Sequence, residues 1–386
     1  MTYRAAGTPL TLTDAQRISW VRLIRSENVG PATFRDLINK FGSARAAIDA
    51  LPELSARAGG RKPIKVASAA DAEAEIDAVT RLGARIVAIG EAGYPPLLRH
   101  MDMPPPLVTI KGTGDIFALP AVSLVGARNA SAAGTRMARQ LAGELGRQGF
   151  AIVSGLARGI DAAAHWASLD TGTIAVLAGG IDKPYPPENI ELLGRIVERG
   201  AIISEMPLGW EPRARDFPRR NRLIAGLGLG LVVVEAATRS GSLISARLAG
   251  EMGRLVFAVP GSPLDPRAAG SNSLLKDGAI FTTGSGDIVD QLRPMIGGDP
   301  RNVLRESGGP APAQMPAFDP DVSEPEANDG ERVLGALSLV PTSIDDVIRH
   351  TRLHPSQVLT LLLELDLAGR IERHSGGAVS LIAPDA

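Results

Sequence analysis

The sequence predicts an α/β fold: a Rossmann-like, doubly wound, mostly parallel sheet, with a small helical module before it and a winged helix after it. Three observations predict this. From about Ala84 onward, short apolar runs alternate with helix-like stretches, the texture of a parallel sheet covered on both faces. Glycine-bearing loops close several of those runs, where ligands sit in open α/β sheets. Outside this series only helical periodicity and one Gly-Gly hairpin signal remain.

Residues 1–80 read as the helical module. Thr13 caps a helix through AQRISWVRLIRSE, with Ile18, Val21, Leu23 and Ile24 at roughly helical spacing. The turn NVGPAT leads into FRDLINKFGSARAAIDAL. This helix–Val-Gly-Pro–helix layout is similar to helix-hairpin-helix and SAM-like modules. Such a shape can present backbone amides to a DNA phosphate, and it serves equally as a packing element.

Residues 81–295 read as the core. Its apolar runs are ARIVAIG, PLVTIKG, AVSLVGA, FAIVSG, TIAVLAGG, AIISE, LGLVVVEA, RLVFAVPG and GAIFTTG. Helical stretches between them include TRMARQLAGELGRQG, DAAAHWASLD, NIELLGRIVERG and SLISARLAGEMG. Residues 296–329 are rich in Pro, Gly, Ser and acid and poor in aromatics, and read as a flexible linker. Residues 330–386 read as the winged helix: ERVLGALSL, SIDDVIRHT and HPSQVLTLLLELDLAGR as helices, then IERHSGGAVSLI turning at Gly376-Gly377. The third helix would be the recognition helix on DNA. It is apolar and acidic, without the basic face that phosphate contact demands, so the domain reads as an interaction or packing module.

Composition limits the partners. Hydrophobic residues make up 44% of 386 and the formal net charge is −1, so any attraction for a polyanion must come from local clustering of cations. The absence of cysteine excludes disulfides, thiolate metal sites and a cysteine nucleophile. The opening MTYRAAGTPL lacks the apolar stretch of a signal peptide, and no run has the roughly 20 apolar residues a membrane helix needs; a cytoplasmic protein is expected.

The loops after the strands carry the chemistry. VGARNASAAG brings Arg128, Asn129 and Ser131. SGLARGID brings Ser154, Gly155, Arg158 and Gly159. AGGIDKPYPPEN brings Lys183. SEMPLGWEPRARDFPRRNR, read as a loop, brings Arg213, Arg215, Arg219, Arg220 and Arg222, with EAATRSGSLIS and PGSPLDPRAAGSNSLL beyond. Glycines admit phosphate close to the backbone, helix N-termini add positive potential, and arginines supply fork-shaped donors. Together they describe a groove rather than a pocket for one phosphate. No loop fits G-x-G-x-x-G, since Arg128 stands where a second glycine is needed, and no Gly-Lys-Ser/Thr loop exists, so neither NAD nor ATP is expected as a cofactor. Asp161 and His165 lie one helical turn apart, with Ser154 and Ser240 in loops nearby, but an acid at a helix start and a packed histidine account for them. His100, His350, His354 and His374 are scattered, and no metal cluster is expected.

The motifs VGARNAS, IVSGLARGIDAAAH, TIAVLAGGID, YPPEN, ISEMPLG, FPRRNRLIAGL, VVVEAATRSGSL and VFAVPG stand in one order over about residues 85–290. In these the chain resembles the DprA/Smf family of DNA-processing proteins. The resemblance implies a Rossmann-like core that binds and protects single-stranded DNA, loads the recombinase RecA during natural transformation, works as a dimer and has no established catalytic activity. It implies a basic pocket of Arg128, Arg158, Arg219, Asn221 and Arg222, with Lys183 near a further basic site. Relatives carry a basic residue within YPxxN where this chain has Pro187 and Glu188; Arg215 or Arg220 is the expected replacement. It also places self-association at SNSLLKDGAIFTTG, with Leu274, Leu275 and Ile280 as the apolar patch. Sequence-tolerant strand binding adds stacking platforms; Phe217, inside the arginine cluster, is the first candidate, then Tyr185 and Trp210. The competing reading is a Rossmann-like phosphoribohydrolase acting on nucleoside monophosphates, faintly echoed by SGSLISARLAGE with Glu251 but lacking the P-G-G-x-G-T loop.

Overall fold

Nine strands form one sheet in the computed structural model, which describes residues 11–57, 63–296, 322–326 and 328–382. The strands are β1 (Ala84–Ala88), β2 (Leu107–Gly112), β3 (Ala121–Val125), β4 (Ala151–Ser154), β5 (Thr173–Val176), β6 (Ala201–Ser204), β7 (Gly230–Val233), β8 (Leu255–Ala258) and β9 (Ile280–Phe281). Their order is β1-β2-β6-β5-β4-β3-β7-β8-β9. From β6 to β9 the pairings are parallel; β2 joins β6 antiparallel. All residues of β3 through β7 are buried. Near-continuous apolar runs such as AVSLV and AIVS suit strands covered on both faces.

The covering helices are α5 (Ala132–Arg147), α6 (Ile160–Ser168), α7 (Ile190–Arg199), α8 (Asp216–Leu227), α9 (Gly241–Glu251), α10 (Ala269–Lys276) and α11 (Ser285–Leu292). The main core joins Val122, Leu124, Leu141, Leu145, Ile152, Ile160, Val232 and Phe257. A second cluster, with Leu177, Leu192, Ile196 and Ile202, lies under α7.

One expected loop is a helix. The segment DFPRRNRLIAGL forms α8, with Pro218 in its first turn, where its missing N–H costs no hydrogen bond. Helical geometry therefore divides the arginine cluster between opposite faces.

By contact the chain divides into two compact units, the sheet with its helices and a second unit built from both ends of the chain. The N-terminal part of the second unit holds α1 (Asp14–Arg25), α2 (Pro31–Phe41) and α3 (Ala44–Arg57); α4 (Ala69–Arg81) follows. Thr13 caps α1 through a reciprocal pair with Gln16. The C-terminal part holds α12 (Asp329–Gly335), α13 (Ile344–Thr351) and α14 (Pro355–Leu367), with β10 (Thr342–Ser343), β11 (Ile371–His374) and β12 (Ala378–Leu381). β12 lies between β10 and β11, both antiparallel to it, which is the winged-helix pattern. Residues 297–321 and 327 of the expected linker lie outside the described residues.

Within this unit α14, the helix in the recognition position, packs on the N-terminal helices. Leu363 and Leu367 enter the core of Leu23, Val29, Phe34, Leu37 and Leu51. Asn28 Nδ2 donates to the Leu367 carbonyl at 2.9 Å, Thr33 Oγ1 to Asp366 Oδ2 at 2.8 Å, and Lys40 Nζ to Thr360 Oγ1 at 2.9 Å. Arg373 lies between Asp36 (3.1 Å) and Asp366 (3.3 Å). Burial is the main influence on the charged members: it lowers the Lys40 pKa and raises those of Glu364 and Asp366. A helix that is apolar nearly all round must be buried on several sides, which accounts for the composition VLTLLLELDL.

Candidate nucleic-acid interface

Two loops and a helix start meet at the carboxyl edge of the sheet. The loop after β3 carries Arg128, the loop after β4 carries Gly155–Gly159, and α8 enters with Phe217. Their approach depends on Gly159, whose φ is +75° and whose missing Cβ would lie 2.3 Å from the Ala127 carbonyl oxygen. Only glycine combines that conformation with that proximity. Asp161, in the first turn of α6, accepts the backbone N–H groups of Gly155 (3.0 Å) and Ala157 (3.3 Å), holding the second loop in shape.

The result is a shallow open cleft lined by Arg128, Gly155, Ala157, Arg158, Tyr185, Pro186 and Phe217. The Arg128 guanidinium lies 5.1 Å from the centre of the Phe217 ring, within cation–π range. Tyr185 meets Phe217 edge-on at 5.7 Å, and its own side is 45% exposed. Arg158 is exposed and faces Glu188 loosely at 3.6 Å. A cation, a second cation and two aromatic rings thus share one concave surface, which can take phosphate oxygens and unpaired bases together.

The remaining sequence candidates divide. Arg220 is buried beneath the cleft; its Nη1 donates to the carbonyls of Gly155 and Val176, both at 2.6 Å. Burial lowers its pKa to about 10, against the opposing pull of Asp161. It therefore stays charged at neutral pH and braces the floor, rather than offering itself at the surface. Ser154 is also corrected: its hydroxyl is buried and donates to the Leu124 carbonyl at 2.6 Å. Asn221 is buried and donates to the Gly241 carbonyl at 3.3 Å. Gly155 is buried too, and a Cβ there would strike the Arg220 guanidinium. Arg219 and Arg222 both donate to Glu205, a buried carboxylate just after β6; Arg219 does so at 3.0 Å with its side chain 45% exposed, Arg222 with its side chain 15% exposed. Arg215 is exposed at the N-cap of α8. Lys183 is partly exposed and 3.7 Å from Glu211. Trp210 stacks with Arg213 at 5.6 Å and donates to Asp216 at 3.0 Å, so that ring is tied to the approach to α8.

His165 is buried, its Nδ1 2.7 Å from the Thr173 hydroxyl, and burial lowers its pKa to about 3. Asp161 is buried, with its pKa raised by burial. Both serve packing and loop shape. Glu251, the residue of the phosphoribohydrolase reading, is the last residue of α9 and pairs with Arg247 at 2.9 Å, at the opposite end of that helix from the loop after β7. Among the described residues no group of three or more His, Cys, Asp or Glu is placed to hold a metal. Nor is any helix among them long and apolar enough to cross a membrane.

At the expected self-association region, Leu274 and Leu275 are half-buried on α10, and Ile280 packs against the main core from the edge strand β9. Phe281 beside it is 58% exposed. Glu205 carries no signal in the sequence, because its partners lie 14 and 17 residues away and meet it only once α8 is helical.

Residues 85–293 match the family profile described as DNA recombination-mediator protein A, residues 14–78 the DprA-like N-terminal HHH domain, and residues 316–377 the DprA winged helix domain. The chain is 40% identical over 294 residues to protein Smf of Escherichia coli, covering 75% of each. It is 35% identical over 307 residues to protein Smf of Synechocystis, covering 73% of this chain and 76% of the relative. Among solved structures, DNA processing protein A of Streptococcus pneumoniae is similar with a TM-score of 0.59 at 32% identity, over 73% of this chain and 99% of that one. A Helicobacter pylori structure described as showing a single-stranded DNA binding mode of DNA processing protein A is similar with a TM-score of 0.51 at 27% identity, over 55% and 96%.

Proposed function

The chain belongs to the DNA recombination-mediator protein A family, also called DprA or Smf, and from that premise we propose that it binds and protects single-stranded DNA without sequence preference, in the cleft between Arg128, Arg158, Tyr185 and Phe217, and delivers it to a RecA-type recombinase. The observation that carries this reading is the convergence of two exposed guanidinium groups and two aromatic rings on one concave surface. Phosphates pair with Arg128 and Arg158 while bases stack on Tyr185 and Phe217; nothing in that arrangement reads base edges. Arg219, Arg215 and Lys183 extend the cationic rim beyond the cleft. The role is binding and hand-over in the cytoplasm, not catalysis. The working form is a homodimer joined through α10 and β9, with Leu274, Leu275 and Ile280 at the contact.

Fluorescence anisotropy with labelled oligonucleotides of unrelated sequence, single- and double-stranded, at several salt concentrations tests the reading. The expected result is a strong preference for single strands, little dependence on sequence, and affinity that falls steeply with salt. Equal or tighter binding of duplex overturns it. For the dimer, a charged residue at Leu275 should halve the mass found by light scattering, and an unchanged mass removes that part.

A further inference from the structure

We propose that Glu188 is an exchangeable counter-anion for Arg158 and thereby sets how tightly the cleft grips a strand. The inference rests on the strand-binding reading and deepens it. Two exposed cations line the cleft, and they are in different states. Arg128 faces the Phe217 ring, and among the described residues no carboxylate lies within ion-pair distance of it. Arg158 faces the Glu188 carboxylate at 3.6 Å. One cation is open to phosphate; the other is already partly neutralised.

The fold puts Glu188 in that place. It stands in the segment YPPEN, residues 185–189. The next residue, Asn189, is buried, and its Nδ2 donates to the Leu156 carbonyl at 2.8 Å. Leu156 belongs to the loop that carries Arg158. The Asn189 N–H donates in turn to the Pro186 carbonyl at 3.1 Å, and Tyr185 and Pro186 line the cleft. Pro186 and Pro187 each restrict their own φ. The acid and the arginine therefore lie on two segments pinned to one another.

The pair is nonetheless easily opened. Both side chains are more than half exposed, and at 3.6 Å they form an ion pair without a hydrogen bond. A phosphate oxygen can take a charge-assisted hydrogen bond from the same guanidinium at about 2.8 Å. Glu205 is the contrast: it is buried and hydrogen-bonded to Arg219 at 3.0 Å, so it stays in place. A strand that enters the cleft meets Arg128 directly and displaces Glu188 from Arg158. Opening that pair takes up part of the binding energy, and the grip is weaker than two open guanidinium groups would give. Such a grip suits a strand that is to be handed on.

The test measures single-strand affinity by anisotropy at low salt for the full chain and for Glu188→Gln, Arg158→Ala and the double variant. Glu191→Gln, at an exposed acid in the first turn of α7 and outside the cleft lining, makes the same change in net charge. The expected result is binding about two- to fivefold tighter in Glu188→Gln, with no such gain from Glu191→Gln and none when Glu188→Gln is added to Arg158→Ala. Unchanged affinity in Glu188→Gln, while Arg158→Ala weakens binding, overturns the proposal alone. An equal gain in both backgrounds, or from Glu191→Gln, also overturns it, since the effect is then one of bulk charge. If Arg158→Ala binds as the parent chain does, the strand-binding reading fails at this residue and the proposal falls with it.

Discussion

Replacing Arg128 with alanine separates binding from folding. Arg128 is exposed, and among the described residues its guanidinium has no carboxylate within ion-pair distance; its contact is the face of Phe217 at 5.1 Å. Losing an exposed cation–π contact costs about 0.5–1 kcal/mol of stability, so the melting temperature should move by only a few degrees. One charge-assisted hydrogen bond to a phosphate is worth about 1.5–3 kcal/mol, which is roughly a ten- to hundredfold loss of affinity. For single strands, one phosphate contact also contributes about 0.7 to the slope of log affinity against log salt. Arg222 serves as the contrast. It is largely buried on Glu205, so Arg222→Ala removes one of two guanidinium partners from a buried carboxylate. That costs about 2 kcal/mol, discounted from a full broken pair because Arg219 remains. The assay is anisotropy over a salt series, with denaturant melts of the same samples. A folded Arg128→Ala variant whose affinity stays within twofold and whose salt slope is unchanged refutes the cleft assignment.

Three further outcomes follow from the same geometry. Phe217→Ala should lower single-strand affinity by about tenfold, in the range of one lost base stack, with an unchanged salt slope; a changed slope with unchanged affinity contradicts the stacking role. Gly159→Ala should cost about 2 kcal/mol in denaturant melts and weaken DNA binding, because its new Cβ meets the Ala127 carbonyl at 2.3 Å; stability equal to that of the parent chain contradicts the close approach. His165 has a folded pKa lowered to about 3 from an unfolded value near 6.5. Below pH 6.5 the unfolded chain takes up a proton that the folded chain refuses, so stability is lost as pH falls towards 3, by about 2 kcal/mol at pH 5. The raised Asp161 pKa acts in the opposite direction, so the stability difference between the wild type and His165→Gln isolates the histidine; it should shrink by that amount between pH 7.5 and 5, and a constant difference contradicts the assignment.

The sheet was legible because a strand buried on both faces needs no alternation: the five central strands, β3 to β7, are such runs, and the shorter or partly exposed outer ones stood in the same series of apolar runs between glycines and helical stretches. The cleft was legible in part for the same reason: Arg128 and Arg158 follow strands directly, and strand ends fix where loops emerge. α8 was not legible. Its first two turns, DFPRRNR, have the proline and charge of a loop, and its apolar end, LIAGL, is too short to show a period. Once the segment is helical, Arg220 points to the floor and Arg219 and Arg222 to Glu205. The role of Glu205 depends on partners that the chain brings close only by folding, Arg219 and Arg222 lying 14 and 17 residues away. The apolar surround of α14 was visible as composition, but composition did not name the N-terminal helices as its cover.

The central claim is that unpaired nucleotides lie across Phe217 and Tyr185 beside Arg128. Ultraviolet crosslinking of the protein to oligothymidine, with the attachment sites read by mass spectrometry, tests it most directly. The expected adducts fall on Tyr185 and Phe217 and decline when salt is raised. Adducts confined to other aromatic residues, such as the exposed Trp166, contradict it.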